Sequence, residues 1–143
     1  MLIRQFTRDD TDAVVALWRE CGLARPWNDP QADVDRKVAA QPALFFVGTD
    51  AGEPDGAGRI VAAVMAGYDG HRGSINYLAV SPARRGEGLG AALLAHAEAA
   101  LRELGCPKIN LQVRSDNREV VGFYERLGYE VFEVVDMGKR FSA

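Results

Sequence analysis

The sequence predicts a domain of the mixed α+β (α/β mixed) class, with a central mixed, mostly antiparallel sheet of about seven strands flanked by about four helices. The composition is the first reason: of 143 residues, 48% are hydrophobic and 26% charged, which is ordinary for a chain with its own core. Short apolar runs that alternate with glycine-terminated helical patterns are the second. The third is the order β-α-α-β-β-β-α-β-α-β-β, which joins an antiparallel meander to a β-α-β crossover.

The N-terminal part of the chain predicts one strand and two helices. Leu2–Phe6 alternates apolar and polar residues, as a half-buried strand does. A first amphipathic helix follows and ends at about Cys21. Asp29 is suited to cap a second helix over Gln31–Ala40, because Pro30 then falls at its first position.

The rest of the chain predicts six strands and two helices. Asp50–Gly58 is rich in glycine and is predicted to be a loose hairpin loop, and Leu89, Leu93, Ala97, Ala100 and Leu104 are predicted to share the apolar face of one helix. The predicted strands are Leu44–Thr49, Arg59–Tyr68, Ser74–Val80, Lys108–Val113, Tyr129–Val135 and Met137–Phe141, and the helices are Gly88–Leu104 and Asn117–Leu127.

A glycine-rich basic loop inside Tyr77–Leu94 predicts an anion site. It follows an apolar strand and opens a helix, whose first backbone N–H groups have no partner within the helix. The spacing G-x-G-x-G differs from the dinucleotide fingerprint G-x-G-x-x-G, and no G-K-[ST] sequence of a P-loop is present. The sequence therefore disfavours a nicotinamide dinucleotide or a P-loop triphosphate as the ligand.

Composition and charge narrow the class of protein further. The net charge of −3 disfavours a general nucleic-acid binder. No apolar window is long enough for a signal peptide core or a membrane span, so a cytoplasmic protein without membrane partner is expected. Two cysteines and two histidines show no ligand spacing, so no metal site is expected.

Two motifs in order resemble a known family. The segment R-G-E-G-L-G, Arg85–Gly90, resembles the pattern R/Q-x-x-G-x-G/A, and Asn117 is followed seven residues later by Tyr124 in S-D-N-R-E-V-V-G-F-Y-E-R-L-G-Y. Together with the element order they resemble the GNAT superfamily of acyl-CoA-dependent N-acetyltransferases over essentially the whole chain. The segments L-W-R-E-C-G-L-A-R-P-W-N-D-P and G-Y-D-G-H-R-G-S further resemble its YpeA-type bacterial subgroup.

The resemblance implies a single domain over residues 1–143 that uses acetyl-CoA as co-substrate. The backbone of the strand end would pair with the pantetheine arm, with the Val80 N–H as oxyanion donor, and the loop would hold the pyrophosphate. One of Arg84 and Arg85 would reach phosphate oxygens and the other would face solvent. The implied cofactor-binding residues are Leu78, Ala79, Val80, Arg84, Arg85, Gly86, Glu87, Gly88, Leu89, Gly90, Ala91 and Asn117.

The same resemblance implies the general acid. Tyr124 would protonate the leaving thiolate, and the alternative is a packing role beside Phe123. Asn117 would bind CoA, cap the last helix, or do both.

The general base is missing from its expected place. Gln112 stands where several relatives carry glutamate, and an amide cannot accept the proton. Asp69 and His71, in a predicted turn, are the titratable candidates, although a turn aspartate commonly serves the turn itself. Arg25 and Trp27, in the predicted connector between the first two helices, are candidates with them for binding the acceptor.

Two functions follow from these patterns. The first is transfer of the acetyl group to a primary amine of a peptide, protein or small molecule by direct attack in a ternary complex. The alternative is a non-catalytic acetyl-CoA-binding sensor, which the glutamine at position 112 favours and Tyr124 disfavours. The sequence leaves monomer and homodimer open.

Overall fold

The computed structural model describes residues 1–50 and 58–141. Apart from its two end residues, the predicted hairpin loop Asp50–Gly58 lies outside the described residues. The chain divides into two compact units, unit 1 (Met1–Leu111) and unit 2 (Gln112–Ala143). That residues 1–143 form a single domain stays a prediction.

The described residues of unit 1 form one five-stranded sheet, in strand order β1-β2-β3-β4-β5, and three α-helices. The strands pair antiparallel except β4 with β5, which are parallel and follow the crossover through α3. The elements are β1 (Leu2–Gln5), α1 (Thr11–Glu20), α2 (Pro30–Ala40), β2 (Phe45–Thr49), β3 (Ile60–Tyr68), β4 (Gly73–Val80), α3 (Leu89–Glu103) and β5 (Ile109–Asn110).

The sheet buries both of its faces, because successive strand residues point to opposite sides. Phe45 lies in a fully buried cluster with Trp18 of α1 and Val34 of α2. Its neighbour Phe46 faces the other way and meets the ring of His96 on α3 edge-on, with centroids 4.7 Å apart. Helices α1 and α2 therefore cover one face, and α3 covers the other.

The two predicted helix starts near residue 30 and residue 89 differ in how they are capped. Asp29 caps α2 as predicted: its Oδ1 accepts hydrogen bonds from Gln31 N and Ala32 N at 3.0 and 3.2 Å. Helix α3 starts at Leu89 behind Gly88, whose φ is 77°, without a side-chain cap.

Lys37 of α2 and Gln41, which caps the C-terminus of α2, complete the hydrogen bonding of β3 beyond the end of β2. The pairing of β2 with β3 stops at Phe45 and Met65, so the next peptide groups of β3 need other partners. Lys37 Nζ donates to Ala66 O, and the Gln41 amide bonds both Tyr68 N and Tyr68 O at 3.1 Å. Lys37 and Gln41 lie four positions apart at the C-terminal end of α2, and their side chains together bond the peptide groups that β2 leaves unpaired.

Unit 2 contains helix α4 (Arg118–Arg126) and, over its described residues 112–141, no strand. The predicted strands Tyr129–Val135 and Met137–Phe141 are therefore wrong for this structure, and the strand predicted over Lys108–Val113 is limited to Ile109–Asn110. The described residues form five strands instead of about seven. The reason is physical: alternating side chains predict the faces of a strand but not whether a neighbouring backbone pairs with it.

The apolar face of α3 is rotated from its prediction. Leu93 and Ala97 are buried as expected, but the other buried residues are Leu94 and Leu101, whereas Leu104 is 54% exposed. Because α3 ends at Glu103, Leu104 follows the last helical turn and no longer points at the sheet. The predicted fold class is nevertheless confirmed: the described residues form a mixed, mostly antiparallel sheet and four α-helices.

Candidate active site

The outer edge of β4 is unpaired along most of its length. On its inner side β4 pairs with β3 from Gly73 to Val80, but it pairs with β5 only at Gly73 and Ser74. Within the described sheet, the backbone from Ile75 to Val80 therefore has no strand on its outer side. A bare strand edge offers regularly spaced N–H and C=O groups, which an extended ligand can pair with.

A β-bulge lies in the middle of this edge. Ala79 pairs with Ala63 and Asn76 pairs with Met65, so Tyr77 and Leu78 both face Val64. Tyr77 has φ 54°, and it is the only non-glycine residue with positive φ in the described ranges. Because a bulky side chain rarely adopts this conformation, contacts around Tyr77 must hold it.

The loop after β4 delivers backbone N–H groups to one point. Gly86 and Gly88 have φ of 84° and 77°, a backbone conformation that favours glycine, and among the described residues a Cβ on either would meet nothing within 4 Å. The first backbone hydrogen bond of α3 is Ala92 N to Gly88 O at 3.1 Å. The N–H groups of the three residues before Ala92 have no acceptor within the helix, which suits an anion.

The two arginines of the loop differ in their partners. Arg84 donates from Nε to both oxygens of Glu87, at 3.1 and 2.9 Å, and from its NH1 group to Asp50. Arg85 is exposed, and its side chain has no hydrogen bond or ion pair to the described part of the chain. The structure thus ties Arg84 to two carboxylates and leaves the Arg85 guanidinium available for phosphate oxygens.

A polar cavity of about 530 Å³ lies beside the turn between β3 and β4 and the paired ends of β4 and β5. Gly67 permits the close packing there, since a Cβ would lie 2.9 Å from Ser74 Oγ. Among the predicted acceptor residues, Asp69 lines this cavity, whereas Arg25, Trp27 and His71 do not. The lining residues are Gln41, Gly67, Tyr68, Asp69, Arg72, Gly73, Ser74 and Asn110.

Asp69 is engaged in its own turn. Its Oδ1 accepts hydrogen bonds from the backbone N–H groups of His71 and Arg72, both at 2.7 Å. These bonds, that of Arg72 first, hold the pKa of Asp69 below its usual range. The carboxylate is therefore a weak proton acceptor, and His71 is exposed beside it.

Two other acceptor candidates lie between α1 and α2, in the segment we call the connector (residues 21–29). Arg25 N donates to Asn28 Oδ1 at 2.6 Å, and the Trp27 side chain is 52% exposed. The connector presents both residues at the surface of unit 1.

Unit 2 holds the predicted general acid. Tyr124 is 9% exposed, and burial raises its pKa to about 12. Its ring meets those of Phe123 and Tyr129 edge-on, with centroids 5.1 and 5.4 Å apart. Asn117 is the cap of α4, because its Oδ1 accepts from Val120 N at 3.3 Å.

The amide at the expected base position contacts a carboxylate. Gln112 Nε2 donates to Asp136 Oδ1 at 2.6 Å, and both side chains are exposed. Sequence reasoning missed Asp136, because no spacing rule connects residues 24 positions apart outside a regular element. It also missed Tyr77, whose only signal is its place just before the loop.

An unpaired strand edge that leads into a glycine loop and a helix start suits an extended, phosphate-bearing ligand, which is the shape of the acyl-CoA that acyl-CoA transferases use. The acetyltransferase (GNAT) family matches residues 6–129. An acetyltransferase of Pectobacterium atrosepticum is 50% identical over 140 residues, which cover 98% of this chain and 95% of the relative. The chain belongs to the GNAT family: it is an acetyl-CoA-dependent acyltransferase, with acetyl-CoA as co-substrate.

Solved structures share the fold. Ard1 from Thermoplasma volcanium is 25% identical with a TM-score of 0.74, over 92% of this chain and 83% of that chain. The ribosomal-protein-S18-alanine N-acetyltransferase from Escherichia coli is 23% identical with a TM-score of 0.72, over 89% of this chain and 76% of that chain. No described helix is long and apolar enough to cross a membrane, and the described residues contain no cluster of metal-ligating side chains.

Proposed function

We propose that the protein is an N-acetyltransferase that moves the acetyl group of acetyl-CoA to a primary amine by direct attack in a ternary complex. One observation carries the proposal: the unpaired edge from Ile75 to Val80 has the glycine loop at one end and the polar cavity beside Ser74 at the other. The edge therefore offers a line of backbone groups between an anion site and a second polar site.

The residues for acetyl-CoA are those of the edge and the loop. The backbone of Leu78, Ala79 and Val80 would pair with the pantetheine amides, and the N–H groups from Gly86 to Ala91 would hold the pyrophosphate. Arg85 would add charge at the phosphates, and Arg84 would fix the loop through Glu87 and Asp50. Asn117 would add a contact besides its capping role.

Direct attack is favoured over an acetylated enzyme by the state of Cys21. This thiol lies beside the edge, where its Sγ donates a hydrogen bond to Val80 O at 3.3 Å. A thiol that donates its proton is not the thiolate that attacks a thioester. The acceptor amine is then the nucleophile itself.

The chemistry needs two proton transfers. The neutral amine attacks the thioester carbonyl, a C–N bond forms, the C–S bond breaks, the nitrogen loses a proton and the thiolate gains one. Tyr124 is the proposed acid because it is the tyrosine of the second family-like motif; its phenol is protonated at neutral pH, although burial raises its pKa to about 12 and so makes it a weaker acid than a free tyrosine. Asp136, oriented by Gln112, is the proposed base in place of the absent glutamate.

The acceptor class follows from the cost of making the amine neutral. An α-amino group with a pKa of about 7.7 costs roughly 1 kcal/mol to deprotonate at pH 7, and a lysine with a pKa of about 10.4 costs roughly 4–5 kcal/mol. A site whose base is an exposed carboxylate favours an α-amino group over a lysine as the acceptor. A peptide with a free N-terminal alanine is the first acceptor to test, since a neighbour of the same fold is named as an alanine N-acetyltransferase.

Thermal unfolding tests the cofactor site, and release of CoA tests the transfer. Saturating acetyl-CoA at about 100 times Kd should stabilise the protein by about 2.7 kcal/mol and raise Tm by several degrees, with NADH and ATP as controls. The free-N-terminal peptide should release CoA faster than the same peptide with a blocked N-terminus. A larger shift with NADH or ATP would contradict the cofactor site. Binding without release of CoA on any amine would favour the sensor instead.

A further inference from the structure

The hydroxyl of Tyr77 joins two elements that do not belong to the sheet. It donates to Asp33 Oδ2 of α2 at 2.6 Å, and it accepts a hydrogen bond from Asn28 Nδ2 of the connector. The ring stacks on Trp18 of α1, with centroids 4.0 Å apart and an angle of 18° between the planes. Tyr77 thus contacts both helices on this face of the sheet and the segment that links them.

Asn28 in turn holds the connector together. Its Oδ1 accepts from Arg25 N at 2.6 Å, and its Nδ2 also lies 3.4 Å from Leu23 O. A turn bond from Asn28 N to Arg25 O at 3.1 Å closes the segment. One side-chain amide therefore connects the fold of the connector to the phenol of β4.

The connector meets β4 at a second point as well. Cys21 Sγ donates to Val80 O at 3.3 Å, just beyond the end of α1. Both contacts fall on residues 77–80, the stretch of β4 whose outer edge is unpaired. The bulge at Tyr77 is what turns the ring toward α1 and α2, because a bulge redirects a side chain at the cost of local strain.

The hydrogen bond from the Tyr77 hydroxyl to Asp33 persists at neutral pH. Burial raises the pKa of Tyr77 to about 12, and the neighbouring Asp33 adds to the effect. The phenol therefore stays protonated and keeps donating to the carboxylate. Such a group holds geometry and does not exchange protons with a substrate.

We infer that the Asn28–Tyr77–Asp33 network is a latch that fixes the connector on β4 and so positions Arg25 and Trp27, the two acceptor candidates that the connector carries. Tyr77 and Asp33 are positioning residues for the acceptor and not for acetyl-CoA. The inference rests on the proposed acetyl transfer to an amine. The latch itself is a property of unit 1 that can be measured without any acceptor.

The substitution Tyr77→Phe tests the latch, because it keeps the ring stack on Trp18 and removes both hydrogen bonds. Amide hydrogen exchange in residues 22–28 should become about tenfold faster, as expected for local opening that costs a few hydrogen bonds. The KM for the free-N-terminal alanine peptide should also rise about tenfold, because a connector that opens more often holds Arg25 and Trp27 less firmly for the peptide. The Kd for acetyl-CoA should stay unchanged.

Variants of α2 provide the controls. Asp33→Ala should reproduce both effects of Tyr77→Phe; because it changes α2 and not the bulge, agreement shows that misfolding around the bulge is not the cause. Asp33→Asn should keep most of the wild-type values, because its amide oxygen can still accept a hydrogen bond from the phenol. Asp35→Ala removes an exposed carboxylate of the same helix that pairs with Arg8 at 2.5 Å. It should leave exchange in the connector and acceptor KM as in the wild type.

Three results decide the question. Unchanged exchange in residues 22–28 for both Tyr77→Phe and Asp33→Ala would overturn the latch. A loss of acetyl-CoA affinity as large as the rise in acceptor KM would also overturn it, since the network would then shape the cofactor strand. If the wild type acetylates no amine, the proposed function fails, and the exchange measurement still decides whether the latch exists.

Discussion

Gln112 Nε2 donates a 2.6 Å hydrogen bond to Asp136 Oδ1. The amide that replaces the expected glutamate therefore holds a carboxylate from a segment that follows α4. Within unit 2, the two residues together offer an oriented proton acceptor that neither supplies alone. This pair is the basis of the proposed base.

The first prediction concerns Asp136. Asp136→Asn should lower kcat about 100-fold with the alanine peptide, because a general base contributes a factor of about 10² or more. Kd for acetyl-CoA, measured by titration, should not change. Glu133→Gln, an exposed carboxylate of the same segment, is the matched control and should keep wild-type kcat. Wild-type turnover in Asp136→Asn would remove Asp136 from the mechanism.

The second prediction concerns the leaving group. Tyr124→Phe should lower kcat about 100-fold while acceptor KM changes little, since the lost proton donor acts only in the transition state. Because the pKa of Tyr124 is about 12, the acid form persists at alkaline pH, and kcat of the wild type should show no loss from this group between pH 8 and 10. Tyr129→Phe, a phenol whose ring touches Tyr124, is the control. Equal rates for both variants would reject the assignment.

The third prediction uses the same substitution at two glycines with different backbones. Gly88→Ala forces a Cβ onto φ 77° at the start of α3 and should cost about 1–2 kcal/mol of unfolding free energy, with a weaker Kd for acetyl-CoA. Gly122→Ala lies inside α4, where the Cβ would meet only the flexible end of Arg126 at 3.3 Å. It should stabilise by about 0.5–1 kcal/mol. Denaturant unfolding of both variants measures the change in the free energy of unfolding. A change of the same sign in both variants would contradict the prediction.

The fourth prediction is a pH dependence of stability from Lys37. Burial lowers its pKa from 10.5 to about 8, so the unfolded chain binds the proton more tightly than the folded one. Holding the charged amine in the folded protein therefore lowers the free energy of unfolding by its full amount below pH 8. This loss of stability becomes smaller as the pH rises toward 10.5, because the folded protein then releases the proton.

Lys37→Met isolates this effect. The Tm of Lys37→Met minus that of the wild type should fall steadily between pH 8 and 9.5, because only the wild type gains stability there. Lys139→Met, at an exposed lysine of unit 2, should show a constant difference. A flat difference for Lys37→Met would mean that burial does not lower the pKa of Lys37.

The sequence predicts most of unit 1 because its signals are local. The Asp29 cap, the apolar run of β2 and the glycines at Gly86 and Gly88 act on their own backbone, so they determine the elements that the structure contains. The closing strands were wrong because pairing is a property of two segments. The same limit explains why the bulge at Tyr77 was not predicted: it exists only in the register between β3 and β4.

The site residues also divide into those that local sequence motifs predict and those that only long-range contacts bring together. The loop residues and the Asn117 cap lie in motifs whose spacing is visible in the chain. The contacts of Asp136 with Gln112, and of Tyr77 with Asn28 and Asp33, join residues far apart in sequence. Spacing gave no reason to connect them, and only three-dimensional placement reveals them.

Initial rates with acetyl-CoA and the free-N-terminal alanine peptide varied together test direct transfer in a ternary complex most directly. The proposed mechanism predicts double-reciprocal lines that intersect, and no release of CoA when the peptide is absent, because no enzyme group takes the acetyl group first. Parallel lines, with a burst of CoA before the peptide is added, would contradict it and would point to an acetylated enzyme.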